Sequence, residues 1–411
     1  MITRVVVHAA FAVAWLLAAA PTPAHGATAT EVNEAGATLF AAGRALEAAG
    51  KFDEALSLDP GSGEIRRNLA VALATLGQQD LQAGRLDEAR ARLERAAALA
   101  PGEAPSHLLL AVLSLRRGDL YEARQRIQRA LEIEPGLAQA RELSGDLHYQ
   151  EGALDQARRE WTAALETAGP GARALRAKLE RLDREAQAEA RFGRDVSRHF
   201  TLQFDGPVPP AVARTALRLL EEAYDRLARD FGRAPQHDLP VLLYSRELFS
   251  EVTRSPAWVA GAFDGKIRVP VGGLAGTADA ERLAPVLAHE LTHAFVRANA
   301  PGRLPLWFEE GLAMHFQGLG AEAALRLLRA RGRGFAGLAA VDVALRGGTD
   351  VEAAYAAAAL AIAEMVRLNG FWLPRRALER AGRGVAFADA FREAAGMGLE
   401  EFEERWVRRQ H

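Results

Sequence analysis

Cysteine is absent from all 411 residues. Disulfides, thiolate metal sites, a cysteine nucleophile and a lipidated cysteine anchor are thereby excluded, and any bound metal must be held by imidazole and carboxylate. Lysine is scarce as well, at Lys51, Lys178 and Lys266 only, while arginine is plentiful; this reads as the coding bias of a GC-rich genome rather than an arginine-specific function. The formal net charge of −2 gives no whole-molecule field toward nucleic acid or an anionic membrane. Beyond the N-terminus, no apolar run is long enough to cross a bilayer. What is present, 49% apolar and 25% charged residues, is ordinary for a globular chain, and the length implies two to three domains.

The N-terminal stretch reads as a secretory signal. Arg4 supplies the positive charge, Val5 to Ala20 the apolar segment with Phe11, Trp15, Leu16 and Leu17, and Pro21 and Pro23 break it. Ala24-His25-Gly26 is a small-x-small cleavage site ahead of Ala27. The competing reading is an uncleaved anchor, for which the apolar run is short against the about 20 residues of a full span. The expectation is removal of residues 1–26 and a periplasmic or secreted protein of the bacterial cell envelope, with no stable membrane span once the signal is gone.

Next comes a period. Gly50, Gly84, Gly118 and Gly152 recur every 34 residues, each followed by a hydrophobic-acidic-Ala pattern such as Gly84-Arg85-Leu86-Asp87-Glu88-Ala89. Ala96, Ala130 and Ala164 keep the same spacing, Pro101 and Pro135 close their units, and Gly77 and Gly145 mark close approach of paired helices. Glycine permits the tight turn inside each unit and proline ends its second helix. These residues resemble the tetratricopeptide repeat, whose unit is two antiparallel helices. The resemblance implies an all-α solenoid over 27–171, with a degenerate first unit broken at Asp59-Pro60-Gly61. Such an array could serve as a groove for a peptide or protein partner, or as a spacer. A charged helical linker or cap follows over 172–194, with Leu175, Leu179 and Leu182 on one side.

From 195 to 411 the pattern is that of an α+β domain: strands at Phe200–Phe204, Leu239–Tyr244 and Gly265–Pro270, an amphipathic helix at Ala211–Phe231, and helices from Ala280 on, the sheet and active-site helix lying before about residue 320. Inside it stands His289-Glu290-Leu291-Thr292-His293. On a helix the two histidines share a face and can meet one Zn²⁺, with Glu290 placed as general base. A third ligand is needed, and Pro305-Leu306-Trp307-Phe308-Glu309-Glu310-Gly311-Leu312-Ala313 offers a carboxylate on a second helix, after Pro301-Gly302 ends the first. Glu310 shares a face with the core-type residues Trp307 and Met314, while Glu309, the competing ligand, lies about 100° round the helix.

Leu287 to Ala294, Leu304 to Trp307 and Glu310 to Ala313 together resemble the gluzincin peptidases, and more closely the bacterial peptidase MA-like domains, over about His199 to Gly370. The resemblance implies an α+β zincin-like metallopeptidase with one zinc ion held by His289, His293 and Glu310. It also implies a peptide substrate paired with an edge strand, for which Ile267–Val269 is the candidate. It suggests a further donor to the developing oxyanion. Tyr355, opening an Ala-rich helix, is the candidate, with packing as its alternative role; His315 is a weaker one. His107, His148, His199 and His237 read as surface or repeat histidines. One departure stands out: where some gluzincins carry an acidic residue a turn after the ligand glutamate, this chain has Met314. The function expected is therefore an exported zinc peptidase whose repeats recruit substrate or partner. The alternatives are a catalytically silent repeat scaffold and a zinc hydrolase of another class.

Overall fold

The computed structural model describes residues 27–410 except 118, 170–171, 236–237, 254–260, 275, 301–303, 333 and 348–349. The signal, the Gly118 turn, the Pro301-Gly302 break and His237 lie outside the described residues. The chain is mostly helical and divides into two compact units. No helix among the described residues is long and apolar enough to cross a membrane.

The first unit comprises residues up to Ser114, Leu120–Ser144 and Ala163–Gly169. Its helices come in pairs: α1 (Ala29–Ala41) with α2 (Ala45–Leu58), α3 (Gly63–Ala83) with α4 (Leu86–Leu99), and α5 (Ala104–Arg116) followed by α6 (Leu120–Ile133). Parts of α7 (Ala138–Gln150) and α8 (Leu154–Thr167) complete it. Pairs close where a glycine meets a large side chain sixteen positions on. A Cβ on Gly36 would lie 2.7 Å from Phe52, and one on Gly77 would lie 2.6 Å from Leu93. Ala96, Ala130 and Ala164 are fully buried, as their spacing requires.

Gly50 departs from expectation. It sits inside α2, and the left-handed turn of the first pair is at Gly43, with φ 77°. The cause is α3, 21 residues long where α1 and α5 have 13. The eight extra residues make a little over two helical turns and return the buried stripe almost to the same face, so the lengthening leaves packing intact while shifting the phase.

The second unit gathers Leu115–Asp119, Gly145–Thr162 and Pro170–His411. The middle of the last helix pair thus belongs to it, with Gly145 packed directly on Trp161. After α9 (Arg173–Glu189) come β1 (Gly193–Val196), β2 (Phe200–Phe204), α10 (Pro210–Phe231), β3 (Leu239–Tyr244), α11 (Arg246–Thr253), β4 (Ala262–Phe263) and β5 (Ile267–Pro270). The sheet order is β1-β2-β3-β5-β4, with β2, β3 and β5 parallel and antiparallel strands at both ends. Every residue of β3 is buried, the mark of a central parallel strand covered on both faces.

This order corrects the expected edge. Ile267–Val269 is interior, because the turn at Asp264-Gly265 folds β4 back across β5, pairing Ala262 with Arg268 and Phe263 with Ile267. The terminal strand is β4.

Helices follow: the single-turn α12 (Thr277–Ala280), α13 (Ala284–Asn299), α14 (Leu306–Gln317), α15 (Ala321–Ala330), α16 (Leu338–Leu345), α17 (Val351–Asn369), α18 (Trp372–Gly382), α19 (Phe387–Ala395) and α20 (Leu399–Gln410). One continuous core runs from the sheet through α10 and α13 to the C-terminal helices. Alanine makes α17 slender enough to be buried along most of its length.

Candidate metal centre

Pro285 starts α13 in the first turn, where its missing N–H costs nothing. Leu287, Ala288, Leu291, Ala294 and Phe295 bury one side of the helix in the core. The opposite side carries His289 and His293, their ring centroids 5.0 Å apart.

The second helix, α14, is entered through Pro305 and capped by Asp342, whose Oδ1 accepts the Trp307 N–H at 2.7 Å. Gly311 lets it lie against α17: a Cβ there would be 2.5 Å from the Ala358 carbonyl oxygen. That contact brings Glu310 over the histidines. Its Oε2 is 3.5 Å from His289 Nε2 and 3.6 Å from His293 Nε2, and one ligand atom from each of the three residues lies within 4.8 Å of the others.

These residues fit a metal. Glu310 Oε2 is buried without a hydrogen-bond partner, an arrangement that costs free energy unless something positive sits before it. Two ligand atoms on a tetrahedral zinc with bonds of about 2.1 Å stand about 3.4 Å apart, close to the two separations seen. The charge states agree. Burial works against a charged His289, yet Glu310, Glu290 and Gln317 outweigh it and raise its pKa. Burial likewise works against ionised Glu310, but the two histidines hold its pKa down. His293 is lowered by burial. The pocket favours positive charge facing an ionised carboxylate.

Gln317 supplies what Met314 does not. Its Oε1 lies 2.9 Å from His289 Nδ1. That partner keeps a proton on Nδ1, so that once the imidazole is neutral it is the Nε2 lone pair that faces Glu310. Sequence reasoning missed it, although position 317 is two turns beyond Glu310 on the same helix.

Glu290 is 6% exposed. Burial pushes its pKa up to about 7; His289 opposes this, and Glu310 adds a smaller upward push. Its carboxylate lies against Gly261, immediately before β4, where a Cβ would be 2.5 Å from Oε1. Tyr355, in the second turn of α17, has its ring 6.3 Å from that of His289 at 68°. Burial, with Glu310 and Glu290, raises its pKa and keeps the hydroxyl protonated.

The competing ligand Glu309 does not join the cluster: it is outside the metal-capable group, its pKa pushed up to about 7 by burial, Glu310 and Asp342. His315, the weaker candidate for the oxyanion donor, stacks on Phe371 at 5.7 Å. Of the remaining histidines, His107 is buried in α5, His148 lies 3.7 Å from Glu151, and His199 stacks on Tyr224 with its Nδ1 2.6 Å from Glu221.

Comparisons bear on the repeats. No curated protein matches the chain significantly. Among solved structures, MamA is 22% identical over 34% of this chain and 77% of its own, with a TM-score of 0.27. The Pseudomonas aeruginosa pilF is 19% identical over 39% of this chain and 86% of its own, TM-score 0.30. A thermophilic TPR protein of Thermus thermophilus is 23% identical over 38% of this chain and 98% of its own, TM-score 0.23. Residues 80–143, the stretch that contains α4, α5 and α6, match the tetratricopeptide repeat family.

Proposed function

We propose that the C-terminal unit is a zinc-dependent peptidase of gluzincin type with a zincin-like α+β fold, exported to the periplasm or secreted, and that the repeats recruit its protein substrate or a partner. The observation that carries this reading is the convergence of His289, His293 and Glu310, with a buried, unpartnered Glu310 oxygen between the imidazoles.

Zinc bound there would supply a Lewis acid that makes water acidic near neutral pH. The rest falls to the chain's own side chains. His289, His293 and Glu310 would hold the ion, and Gln317 would fix the tautomer of His289. Glu290, with its pKa near 7, takes the proton from water and returns it to the leaving amine, a role worth about 10²–10⁴ in rate. Tyr355 offers its protonated hydroxyl to the oxygen that gains negative charge. An extended peptide adds to β4, the terminal strand, whose approach residue Gly261 touches Glu290.

The test is Glu290→Gln in the full chain. It retains about one zinc by metal analysis and loses hydrolysis of an unfolded protein substrate by roughly 10²–10⁴. A variant as active as the parent refutes the mechanism. The second reading, a repeat scaffold that cuts nothing, is favoured by the family match at residues 80–143. Gently purified protein without zinc and without hydrolysis would decide for it.

A further inference from the structure

The side of β5 turned away from α13 carries charge where a covered sheet ordinarily carries hydrocarbon. Ile267 and Val269 enter the core with α13, while Arg268, between them and 1% exposed, points the other way. Its guanidinium donates to Tyr149 Oη at 2.9 Å, lies 3.0 Å from Glu185 of α9, and pairs with Asp264 in the β4–β5 turn. Asp264 pairs also with Arg181 of α9. Lys266, again 1% exposed, sits 4.3 Å above the Tyr149 ring and 3.5 Å from Glu185. Ionic groups buried this way seldom add stability over hydrocarbon of the same volume. A forked guanidinium instead fixes direction, because its planar donors meet carboxylates in few geometries.

What is directed is the rim of the sheet. β4 has two residues and two ladder partners, too few to hold its own place. Its turn is seated from below: Gly265, with φ 112°, lies so close to α7 that a Cβ would be 2.9 Å from Gln150. Its other end reaches Glu290 through Gly261.

We infer that Arg268 and Asp264 are positioning residues which, through the hairpin turn, hold β4 at a fixed offset from Glu290 and so set the affinity for extended peptides. The inference rests on the peptidase reading above, and its test separates the two. In the full chain, Asp264→Asn keeps the shape of the side chain and removes its charge. With zinc content unchanged, KM for a fluorogenic decapeptide rises on the order of tenfold while kcat stays within about twofold, and a blocked dipeptide too short to line β4 is cut as before. Arg268→Lys, which keeps the charge and loses the fork, recovers part of the affinity lost in Arg268→Gln. Arg181→Gln removes the outer, half-exposed partner of Asp264 and raises KM less but in the same direction; it decides the matter should Asp264→Asn fail to fold. An unchanged KM, or equal loss on both substrates, overturns the inference. If the parent protein cuts neither substrate, the peptidase reading fails by itself. Decapeptide binding to Glu290→Gln, with and without Asp264→Asn, still reads the positioning claim by fluorescence anisotropy, and equal binding overturns it.

Discussion

Gly311→Ala sets a helix preference against a packing constraint. In a free helix this change stabilises by about 1 kcal/mol, because alanine surrenders less backbone entropy. Here the added Cβ would stand 2.5 Å from the Ala358 oxygen and 2.7 Å from Ile362 Cγ1, against the 3.4 Å at which ordinary contact begins. The Ile362 side chain can yield, but the Ala358 carbonyl belongs to the buried backbone of α17 and cannot rotate away. Helix α14 must therefore retreat by up to about 0.9 Å. Overpacking of that kind costs about 1–3 kcal/mol, so after the helix gain the unit loses up to about 2 kcal/mol. For a unit of a few hundred residues this lowers Tm by a few degrees, on the order of 2–6 °C. Glu310 precedes Gly311 and moves with the helix, so its 3.5 and 3.6 Å separations from the imidazoles widen. Zinc affinity, read by chelator competition, falls on the order of tenfold or more. Calorimetry and competition are run on the same preparation. A variant that melts above the parent and binds zinc equally well would refute both the close packing of α14 on α17 and its role in placing Glu310.

Gln317→Leu removes the acceptor at His289 Nδ1 without touching a ligand, and chelator competition should show zinc held about 10–100-fold more weakly, with little change in fold by circular dichroism. Acid should loosen the buried charges beside β5. Burial alone would push Glu185 up, but Arg268, Lys266 and Arg181 together hold its pKa down to about 2 against an ordinary 4.5. A carboxylate depressed in the folded state contributes stability that is complete above the unfolded value and lost as pH falls through the folded one. The window therefore runs from about 4.5 down to about 2, with on the order of 3 kcal/mol at most at stake. Tm measured from pH 6 to pH 3 should fall in the parent and less steeply in Glu185→Gln; parallel curves would show that Glu185 is not the linked group.

The elements legible in the sequence are those whose signal is carried by spacing. The 34-residue period survives because each helix pair meets its neighbours in the same way, so Ala96, Ala130 and Ala164 face the same packing demand. Gly50 misled because a period marks equivalent residues only while intervening lengths stay constant, and α3 had grown by two turns without losing its face. His289, His293 and Glu310 could be named as candidates because two histidines four apart share a helical face and the resemblance to gluzincin peptidases implies the glutamate; the structure brings the three together. β4 was not legible, since two residues carry no periodicity, and without β4 the strand before it in the sheet order looked like the edge.

Arg268 is the most instructive miss. Alternation in Ile267-Arg268-Val269 correctly puts Arg268 on the face opposite the core, and such a residue ordinarily meets water. That face is covered by α7 and α9, whose Tyr149 and Glu185 come from more than eighty positions earlier. No local pattern can announce such a partner. The glutamate of an amphipathic, highly charged helix and the arginine of a half-exposed strand each look solvated until the two surfaces meet. Arg268 is then fully enclosed, with carboxylates and a phenol as its neighbours. The same reasoning applies to Gln317, whose amide is unremarkable until α14 is laid across α13 and its oxygen falls beside His289. Candidate ligands close in sequence can be read from a helical wheel. The groups that orient them, and the strand that would present a substrate to them, depend on contacts between elements distant along the chain, and their roles follow only once the packing is known.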